Sequence, residues 1–356
     1  MKGTIKLQLG IIGLPMVGKT TIFELLTEDK NHSPNALKAN MAMAKIPDYR
    51  IDNLTKLVNP KKTIYPQLEV VDIPGLIPGA NSNANIFLDT IRKSDAILHV
   101  VRAFTDEMNE QIQPLQDIET VNYELLLADL DLIEKRITRI ETNKKKNQML
   151  VELNLLHRLK EALEDELPLS SVDLNDEEIE IMSTYQFLTT KPLLICVNVK
   201  EEDLLNPQYP EREDIINFTN ATGLQFIETS AVIEKEIAEL SKDERILFMN
   251  DLGIEESGIV RISRSMYQSL GLISFFTVGE IEVRAWTISE GSTAKIAAGK
   301  IHSDIERGFI RAEVVDYNDF IEFESMAAVK EKGLFRLEGK EYIVKDGDIV
   351  HFRFNI

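Results

Sequence analysis

The amino-acid sequence predicts an α/β protein that carries a helical insertion and a separate small α+β domain at its C-terminal end. Three patterns along the chain predict this organisation. Apolar, β-branched runs alternate with helical stretches at the start of the chain and again after residue 190, which is typical of a parallel sheet covered by helices. Between residues 117 and 190, leucine and isoleucine recur at the spacing of two paired helices. From residue 274 onward, short strand-like runs are punctuated by glycines.

The parallel sheet is predicted from continuous apolar runs, because strands buried on both faces lack a polar side. We expect strands at residues 5–12, 67–71, 96–101, 193–197 and 225–227. The first run is followed by a glycine turn and by a helix that begins at Thr20. We therefore assign residues 1–118 and 190–273 to one sheet domain.

Residues 119–189 are predicted to form an antiparallel helical hairpin that projects from the sheet domain. The first helix carries a heptad seam, and helical spacing resumes after a polar stretch at residues 143–147, which we interpret as the tip. The apolar positions are Leu126, Leu130, Ile133, Ile137, Ile140, Met149, Leu153, Leu156 and Leu163. The alternative is a pair of ordinary surface helices packed on the sheet.

The third domain is predicted at residues 274–356, where the pattern changes from long helices to short strands. We expect strands at residues 275–278, 282–286, 311–315 and 349–354. Glycines between these runs indicate turns, which is typical of a small α+β domain.

Composition limits the classes of function. The formal net charge of −19 argues against nucleic-acid binding through overall charge, although a local basic patch stays open. The single cysteine, Cys196, excludes an internal disulfide and fits a reducing compartment. No apolar run approaches the roughly 20 residues of a membrane span, and the N-terminus lacks the pattern of a secretory signal. We therefore expect a cytoplasmic protein that binds neither membrane nor DNA.

A phosphate-binding loop (P-loop) is predicted at Gly13-Leu-Pro-Met-Val-Gly-Lys-Thr20, which fits the pattern G-x-x-x-x-G-K-S/T. The loop follows a predicted strand and opens a predicted helix, so backbone N–H groups and the helix N-terminus would bind phosphate oxygens. Lys19 would neutralise the β- and γ-phosphates, and the Thr20 hydroxyl would bind Mg²⁺. We expect nucleotide contacts at Gly13, Met16, Val17, Gly18, Lys19, Thr20 and Thr21.

A second element, Val70-Val-Asp-Ile-Pro-Gly75, closes the strand predicted at residues 67–71. Asp72 would hold Mg²⁺ through a water molecule, and Gly75 would let its backbone approach the γ-phosphate. The next residue is Leu76, where Ras-like GTPases carry the glutamine that orients the attacking water. Because leucine cannot hydrogen-bond water, hydrolysis requires another group, and the sequence leaves the catalytic residue unknown.

Two loops are predicted to contact the base. Asn198-Val-Lys-Glu201 lies where guanine-specific proteins carry N-K-x-D, whose aspartate binds guanine. Val199 replaces the lysine and Glu201 the aspartate, so the guanine fork is displaced or absent, whereas Asn198 can still meet a purine edge. After the next strand, Ser230 and Ala231 would face the base. These replacements predict a preference for ATP over GTP.

Together these motifs resemble the Obg-like ATPase family, also called the YchF family, over nearly the whole chain. The arm begins with DIETVNYELLLADLD at residues 117–131. The most specific stretches are EVRAWT at 282–287, GFIRAE at 308–313 and EGKEYIVKDGD at 338–348. The resemblance implies a Ras-like P-loop NTPase domain with an inserted antiparallel coiled-coil arm and a C-terminal TGS domain. It also implies ATP preference over GTP and association with ribosomes.

The sequence departs from that family around the γ-phosphate. Met16 stands where the family carries an asparagine that helps to ligate K⁺ in potassium-stimulated relatives. Aligned without gaps, residues 31–40 place Ala36 at the position of the switch I threonine, which removes the usual second hydroxyl ligand of Mg²⁺. The glycine-rich part of switch II is shortened to residues 79–85. These changes predict slow hydrolysis without stimulation by K⁺.

Two functions from different classes follow from these residues. The first is a slow Mg²⁺-dependent ATPase that couples hydrolysis to a ribosomal step, favoured by the P-loop and Asp72. The second is a nucleotide-responsive ribosome-binding module with little turnover, favoured by Leu76, Ala36 and Met16. An ordinary GTPase is a third interpretation, which Val199 and Glu201 oppose. Contacts to the ribosome or its RNA are expected at Lys144, Lys145, Lys146, Lys295, Lys300, Arg307 and Arg311, with Trp286 and Phe309 as flat surfaces or core.

Overall fold

The computed structural model describes residues 7–29, 40–76, 83–105, 111–143 and 146–355. Several positions named above lie outside these residues, so their predicted roles stay predictions. They are Ala36, nearly all of the segment 31–40, residues 79–82 of the shortened switch II, and Lys144 and Lys145.

Strands and helices alternate through most of the described chain. The strands are β1 (Gln8–Ile12), β2 (Asn40–Lys45), β3 (Lys62–Ile64), β4 (Gln67–Asp72), β5 (Ala96–Ala103), β6 (Leu193–Val199), β7 (Gln225–Thr229), β8 (Leu272–Val278), β9 (Glu282–Ser289), β10 (Phe309–Val315), β11 (Arg336–Glu338) and β12 (Ile349–Phe354). The α-helices are α1 (Lys19–Thr27), α2 (Tyr49–Val58), α3 (Asn83–Lys93), α4 (Pro114–Glu141), α5 (Leu150–Glu164), α6 (Asp176–Ser183), α7 (Glu201–Leu205), α8 (Arg212–Thr222), α9 (Ala231–Glu239), α10 (Lys242–Asp251), α11 (Gly258–Ser269), α12 (Ala294–Ile301), α13 (Ser303–Arg307), α14 (Tyr317–Phe323) and α15 (Met326–Glu331). Short 3-10 helices occupy Lys146–Gln148 and Leu169–Ser171.

The chain folds as two compact units. The first, which we call the P-loop unit, comprises Leu7–Ala42 and Val70–Ile259. The second, which we call the C-terminal unit, comprises Met43–Glu69 and Val260–Ile356. Residues 43–69 therefore group with the C-terminal unit, although the sequence pattern predicted them in the sheet domain. The domain boundaries predicted at residues 118, 189 and 273 stay predictions.

The parallel sheet has the strand order β2-β4-β1-β5-β6-β7. The pairs β1–β5, β5–β6 and β6–β7 are parallel. The strands β1, β4, β5, β6 and β7 are those predicted from the apolar runs, and β2 was not predicted. Because parallel strands end at the same edge of a sheet, the loops that follow β1, β5, β6 and β7 meet there.

The helical arm is confirmed as an antiparallel hairpin of α4 and α5. Its apolar core contains the predicted seam residues, among them Ile133, Ile137 and Ile140, packed against Leu153, Leu156 and Leu163. The first part of α4 packs differently, because Val121 and Leu125 join the core around β1 and β4. The arm is therefore rooted on the sheet by one half of α4 and paired with α5 along the other half.

The C-terminal unit is built on a second sheet, with the strand order β11-β10-β12-β8-β9-β3. One core lies around α12 and contains Phe275 and Phe352. Another contains Phe276 and Val315 together with residues of α2, α14 and α15. The strands predicted at the C-terminal end correspond to β8, β9, β10 and β12. The sheet also contains β11 and, from far upstream, β3, neither of which was predicted.

None of the described helices is long and apolar enough to cross a membrane.

Candidate nucleotide-binding site

The P-loop connects β1 to α1 through two glycines with positive φ and close neighbours. Gly13 has φ 145°, and a Cβ atom there would lie 2.3 Å from the carbonyl oxygen of Val100. Gly18 has φ 97°, and a Cβ atom there would lie 2.5 Å from Nδ2 of Asn198. Both backbones therefore pass close to neighbouring strands or loops in conformations that favour glycine. Helix α1 begins directly after Gly18, so its N-terminus faces the loop.

Lys19, Thr20 and Asp72 come together at the start of α1. The Lys19 ammonium donates a hydrogen bond to the carbonyl oxygen of Leu14 at 2.7 Å, and the residue is buried. Burial lowers the pKa of Lys19 to about 8, although the charge of Asp72 opposes the shift. The Thr20 hydroxyl donates to Oδ2 of Asp72 at 2.9 Å. Two oxygen ligands of the kind that Mg²⁺ prefers are thus adjacent.

Leu76 occupies the position of the usual glutamine, and its side chain points into the core. It is 1% exposed and packs with Ile12, Ile73 and Phe87. Its backbone N–H donates to the carbonyl oxygen of Gly13 at 3.1 Å, which fixes this segment against the P-loop. The Leu76 side chain therefore has a packing role, and it presents no polar group to a water molecule.

Asn198 joins the P-loop to the loop after β7. Its Nδ2 donates to the carbonyl oxygen of Val17 at 3.1 Å, and its Oδ1 accepts from the backbone N–H of Ala231 at 3.0 Å. Neighbouring Ser230 is fully buried, and its hydroxyl has no hydrogen-bond partner among the described residues. The predicted base-contacting residues therefore share one cluster, in which the Asn198 amide already holds two loops together.

These residues surround a cavity of about 580 Å³. It is lined by Met16, Gly18, Lys19, Thr20, Thr21, Phe104, Asn198, Val199, Lys200, Glu201, Glu202, Ala231, Val232 and Lys235. Of the predicted site residues, Gly13, Val17, Asp72, Gly75 and Ser230 do not line the cavity. A Cβ atom on Gly75 would lie 3.2 Å from the Lys19 ammonium, so Gly75 is nevertheless close to the P-loop lysine.

Several residues of the cavity wall were not predicted from the sequence: Phe104, Lys200, Glu202, Val232 and Lys235. Phe104 directly follows β5, so the rule that sites form at the carboxyl ends of parallel strands would have found it. Lys235 lies one helical turn into α9, and no motif marks it. Two carboxylates, Glu201 and Glu202, lie where guanine-specific proteins carry one aspartate.

A buried histidine, His99, lies in β5 beside β1 and β6. Its Nδ1 has no hydrogen-bond partner among the described residues. Burial, assisted by the charge of Lys19, lowers the pKa of His99 to about 3. The imidazole is therefore neutral, and Lys19 is the cation of this part of the site.

The chemistry of the site fits a magnesium nucleotide. Backbone N–H groups at the start of α1, a buried lysine and the Thr20–Asp72 oxygen pair match the charges of a phosphate chain with its metal ion. The unpartnered Ser230 hydroxyl adds a polar group near the cavity. No group of three or more His, Cys, Asp or Glu side chains in the described part of the chain could hold a metal ion. Mg²⁺ would thus take further ligands from phosphate and water.

Two family models match this chain. Residues 8–135 match a family model described as "50S ribosome-binding GTPase". Residues 272–355 match the model YchF-GTPase_C, described as "Protein of unknown function (DUF933)".

Relatives match along nearly the full length of the chain. It is 44% identical to the "Ribosome-binding ATPase YchF" of Bacillus subtilis (strain 168), over 98% of this chain and 99% of the relative. It is 40% identical to the protein of the same name from Escherichia coli O157:H7, with the same coverage. A solved structure, "Structure of the Schizosaccharomyces pombe YchF GTPase", superposes with a TM-score of 0.88 at 30% identity, covering 99% of both chains. By sequence along its whole length, by its C-terminal domain and by its fold, this chain belongs to the YchF family.

Proposed function

We propose that this chain binds ATP together with Mg²⁺ in the P-loop cavity and hydrolyses it slowly. The observation that carries the proposal is the meeting of Lys19, Thr20 and Asp72 at the start of α1, beside a cavity of about 580 Å³. Relatives that share 39–44% of its residues are named ribosome-binding ATPases, which supports the same activity.

Each part of the nucleotide has a proposed set of contacts. The phosphates bind Gly13, Met16, Val17, Gly18, Lys19, Thr20, Thr21 and Gly75, and the base lies near Asn198, Val199, Glu201, Ser230 and Ala231. Thr20 and Asp72 hold Mg²⁺, which when bound neutralises charge on the phosphates. Because the Leu76 side chain is buried, a group other than residue 76 must position the attacking water.

Calorimetric titration with ATP and Mg²⁺ tests the nucleotide site. Lys19→Ala removes the cation of the P-loop, and losing a charge-assisted phosphate contact costs about 1.5–3 kcal/mol, which is tenfold or more in affinity. Lys135→Ala, on the exposed surface of the arm, is the matched control and should bind ATP like the wild type. Equal affinity in the Lys19 variant would contradict the proposed site.

We also propose that ATP is preferred over GTP. Position 199 carries a buried valine, and position 201 carries a glutamate at the first residue of α7. The double variant Val199→Lys with Glu201→Asp restores the guanine-binding pattern and should shift preference toward GTP. If competition titrations show no shift, the segment from Asn198 to Glu201 does not contact the base.

Single-turnover hydrolysis distinguishes the ATPase from a binding module. We expect slow turnover by the isolated protein, measured with and without purified bacterial ribosomes. ATP binding without turnover in either condition would instead support a nucleotide-responsive module, which the buried Leu76 side chain favours.

The proposed partner is the ribosome or its RNA, which also places the protein in the cytoplasm. An overall charge of −19 repels phosphate, so binding must use local cations. Lys295 and Arg311 are exposed in the C-terminal unit, whereas Arg307 is paired with Asp304. Lys300 is only partly exposed, and burial lowers its pKa.

The two aromatic candidates are partly buried and pack against the core around α12. The ring of Trp286 stacks on that of Phe275. The Cζ atom of Arg284 lies over the Trp286 ring, 3.8 Å from its centroid. Phe309 packs against Phe352. The ribosome contact is therefore expected to be electrostatic.

Co-sedimentation with ribosomes tests this contact. Each phosphate contact releases counterions, so binding should weaken steeply between about 50 and 200 mM salt. Replacing Lys295 and Arg311 by alanine should reduce binding and flatten its salt dependence. Wild-type protein that never sediments with ribosomes, with any nucleotide, would contradict the proposed partner.

A further inference from the structure

Residues 46–66 connect β2 to β4 of the parallel sheet. They are nevertheless part of the C-terminal unit. We call them the inserted segment. Its neck is closed by a hydrogen bond of 2.9 Å from the backbone N–H of Ile46 to the carbonyl oxygen of Pro66. Strand β2 leads into the neck and β4 leads out of it, and both belong to the parallel sheet that carries the P-loop.

The inserted segment is held by an apolar core. On α2, the side chains of Ile51 and Leu54 are fully buried. They share a core with residues of the second sheet, including Phe276, Val283 and Val315. Such side chains belong to the interior of the C-terminal unit and not to an adjustable surface contact.

The segment also contributes a strand. Strand β3 pairs in parallel with β9, with Lys62 beside Glu282 and Ile64 beside Arg284. The backbone N–H groups of Lys61 and Lys62 donate to the carbonyl oxygens of Glu280 and Ile281, at 3.2 and 3.1 Å. The pairing makes the segment one edge of the second sheet.

Polar contacts fix the start of α2. The Arg50 guanidinium binds both carboxylate oxygens of Asp346, at 2.7 and 3.1 Å, and also binds Asp48. Asp346 in turn accepts from the backbone N–H of Ser274 at 2.9 Å. The Asn53 amide donates to the Tyr317 hydroxyl at 3.0 Å. Arg50 thus links the inserted segment, through Asp346, to strand β8 of the second sheet.

The segment connects directly to the nucleotide site. After Pro66 the chain continues as β4 to Asp72, whose Oδ2 binds the Thr20 hydroxyl. At roughly 3.3 Å per residue, Asp72 lies about 20 Å along the strand from the neck. An extended strand keeps its length, so a displacement of the neck is carried along β4 to the magnesium-binding residue.

We propose that the inserted segment couples the C-terminal unit to the nucleotide site. Binding of the ribosome to the C-terminal unit displaces the segment, and β4 carries the change to Asp72. The inference rests on the proposed function. Because coupling between two binding sites is reciprocal, ATP must change ribosome affinity by the same factor by which the ribosome changes ATP affinity.

The test compares ribosome affinity with and without a non-hydrolysable ATP analogue. We expect the wild type to show a coupling factor of about fivefold or more, within the usual range for coupled sites. Arg50→Gln removes the polar link but leaves Ile51 and Leu54 in place, and it should reduce the factor toward one. Its ATP affinity without ribosomes should equal that of the wild type, since Arg50 does not line the cavity.

Arg353→Gln is the matched control. It breaks another arginine–carboxylate pair of the C-terminal unit, with Glu313, that does not involve the inserted segment. This control should keep the wild-type coupling factor. A wild-type factor retained in Arg50→Gln would overturn the inference, and so would ribosome binding by the wild type that ATP does not change. By contrast, failure of the wild type to bind ATP or ribosomes contradicts the proposed function itself.

Hydrogen exchange on the wild-type protein gives a second measurement that does not depend on the variant folding. Addition of ATP and Mg²⁺ should change amide exchange in α2 and β3 as well as in the P-loop. Protection confined to the P-loop and the start of α1, with α2 and β3 unchanged, would overturn the inference.

Discussion

Met16 adopts a backbone conformation that its side chain does not favour. Its φ is 63°, in the left-handed region, and its side chain is 67% exposed at the cavity. Asparagine tolerates this region better than methionine, because its short polar side chain can bond locally. The asparagine that the wider family carries here therefore suits the turn itself, apart from any ion it binds.

Replacing Met16 by asparagine should relieve this strain. We expect the free energy of unfolding to rise by up to about 1 kcal/mol. The added amide oxygen should also give ATP turnover a dependence on K⁺, whereas the wild type should turn over equally in KCl and NaCl. Met16→Ala is the control, since it has neither the oxygen nor the left-handed preference. Clear K⁺ stimulation of the wild type would mean that another group binds the ion.

Lys19 gives the site a dependence on pH. Burial lowers its pKa to about 8, and a bound phosphate chain favours the protonated form. ATP affinity should therefore be constant below pH 8 and fall by about tenfold per pH unit above it. Titration calorimetry between pH 7 and 9.5 measures this fall, and Lys19→Arg should bind with a flat profile because arginine stays charged. A wild-type affinity independent of pH over that range would contradict the lowered pKa.

The geometry of the P-loop follows from the sequence more directly than that of the cluster around Asn198. Gly13, Gly18 and Lys19 follow from a local pattern, because the turn and the helix N-terminus are built from consecutive residues. The double role of Asn198 depends on hydrogen bonds to Val17 and Ala231, which lie far from it in the chain. Such contacts are set by the order of strands in the sheet, so no local pattern reveals them.

At the scale of single elements, a buried carboxylate anchors the arm. Asp129 of α4 is fully buried and accepts from the backbone N–H groups of Leu188 and Thr189, and from the Thr189 hydroxyl. It also pairs with Arg92 of α3 at 3.2 Å. The arm is thereby joined to α3 and to the chain that returns from the arm.

Removing this anchor should be costly. Asp129→Ala leaves buried N–H groups without their acceptor and leaves the Arg92 guanidinium with backbone carbonyl oxygens alone, and breaking a buried pair typically costs about 3–5 kcal/mol. Asp131→Ala is the matched control, because Asp131 is exposed on the same helix and forms a surface pair with Lys135, which is worth less than about 1 kcal/mol. Urea unfolding followed by circular dichroism measures both. Equal midpoints in the two variants would show that the Asp129 contacts do not stabilise the arm.

Elements with a strong internal pattern could be predicted, and short elements could not. The apolar runs of β5 and β6 and the heptad seam of α4 can be recognised from their own residues alone. By contrast, β3 and β11 have three residues each, and three of the six residues of β2 are exposed. Their pairing depends on neighbours distant in sequence. For the same reason, the packing of α2 in the core of the C-terminal unit was not predicted.

At the scale of the whole molecule, the inserted segment determines how the chain can be divided. Deleting residues 270–356 removes the core partners of Ile51 and Leu54, and each exposed side chain loses about 1.5–3 kcal/mol of burial. We expect such a truncation to bind a hydrophobic dye and to unfold at lower temperature. If this truncated chain lost ribosome binding, the loss would not show that residues 270–356 contact the ribosome, because the deletion also disrupts the core around α2.

A second truncation tests this explanation. It combines the same deletion with replacement of residues 47–65 by a short glycine–serine linker, which the closed neck between Ile46 and Pro66 permits. This chain should bind less dye and unfold at a higher temperature than the simple truncation. Equal dye binding by both would mean that the exposed apolar surface is not that of α2.

The position of α2 also sets an order of events during synthesis. Its core partners, from Phe276 to Ile349, are added about 220 to 300 residues later, which at about 5–20 residues per second is a delay on the order of 10–60 s. The P-loop is made before α2, and β5 and the arm are made during that interval. Throughout it, the apolar face of α2 lacks the core partners against which it packs in the folded protein. The nascent chain is therefore most exposed to aggregation and to chaperones at a segment near its beginning, and this vulnerability ends only when nearly the last strand has been translated.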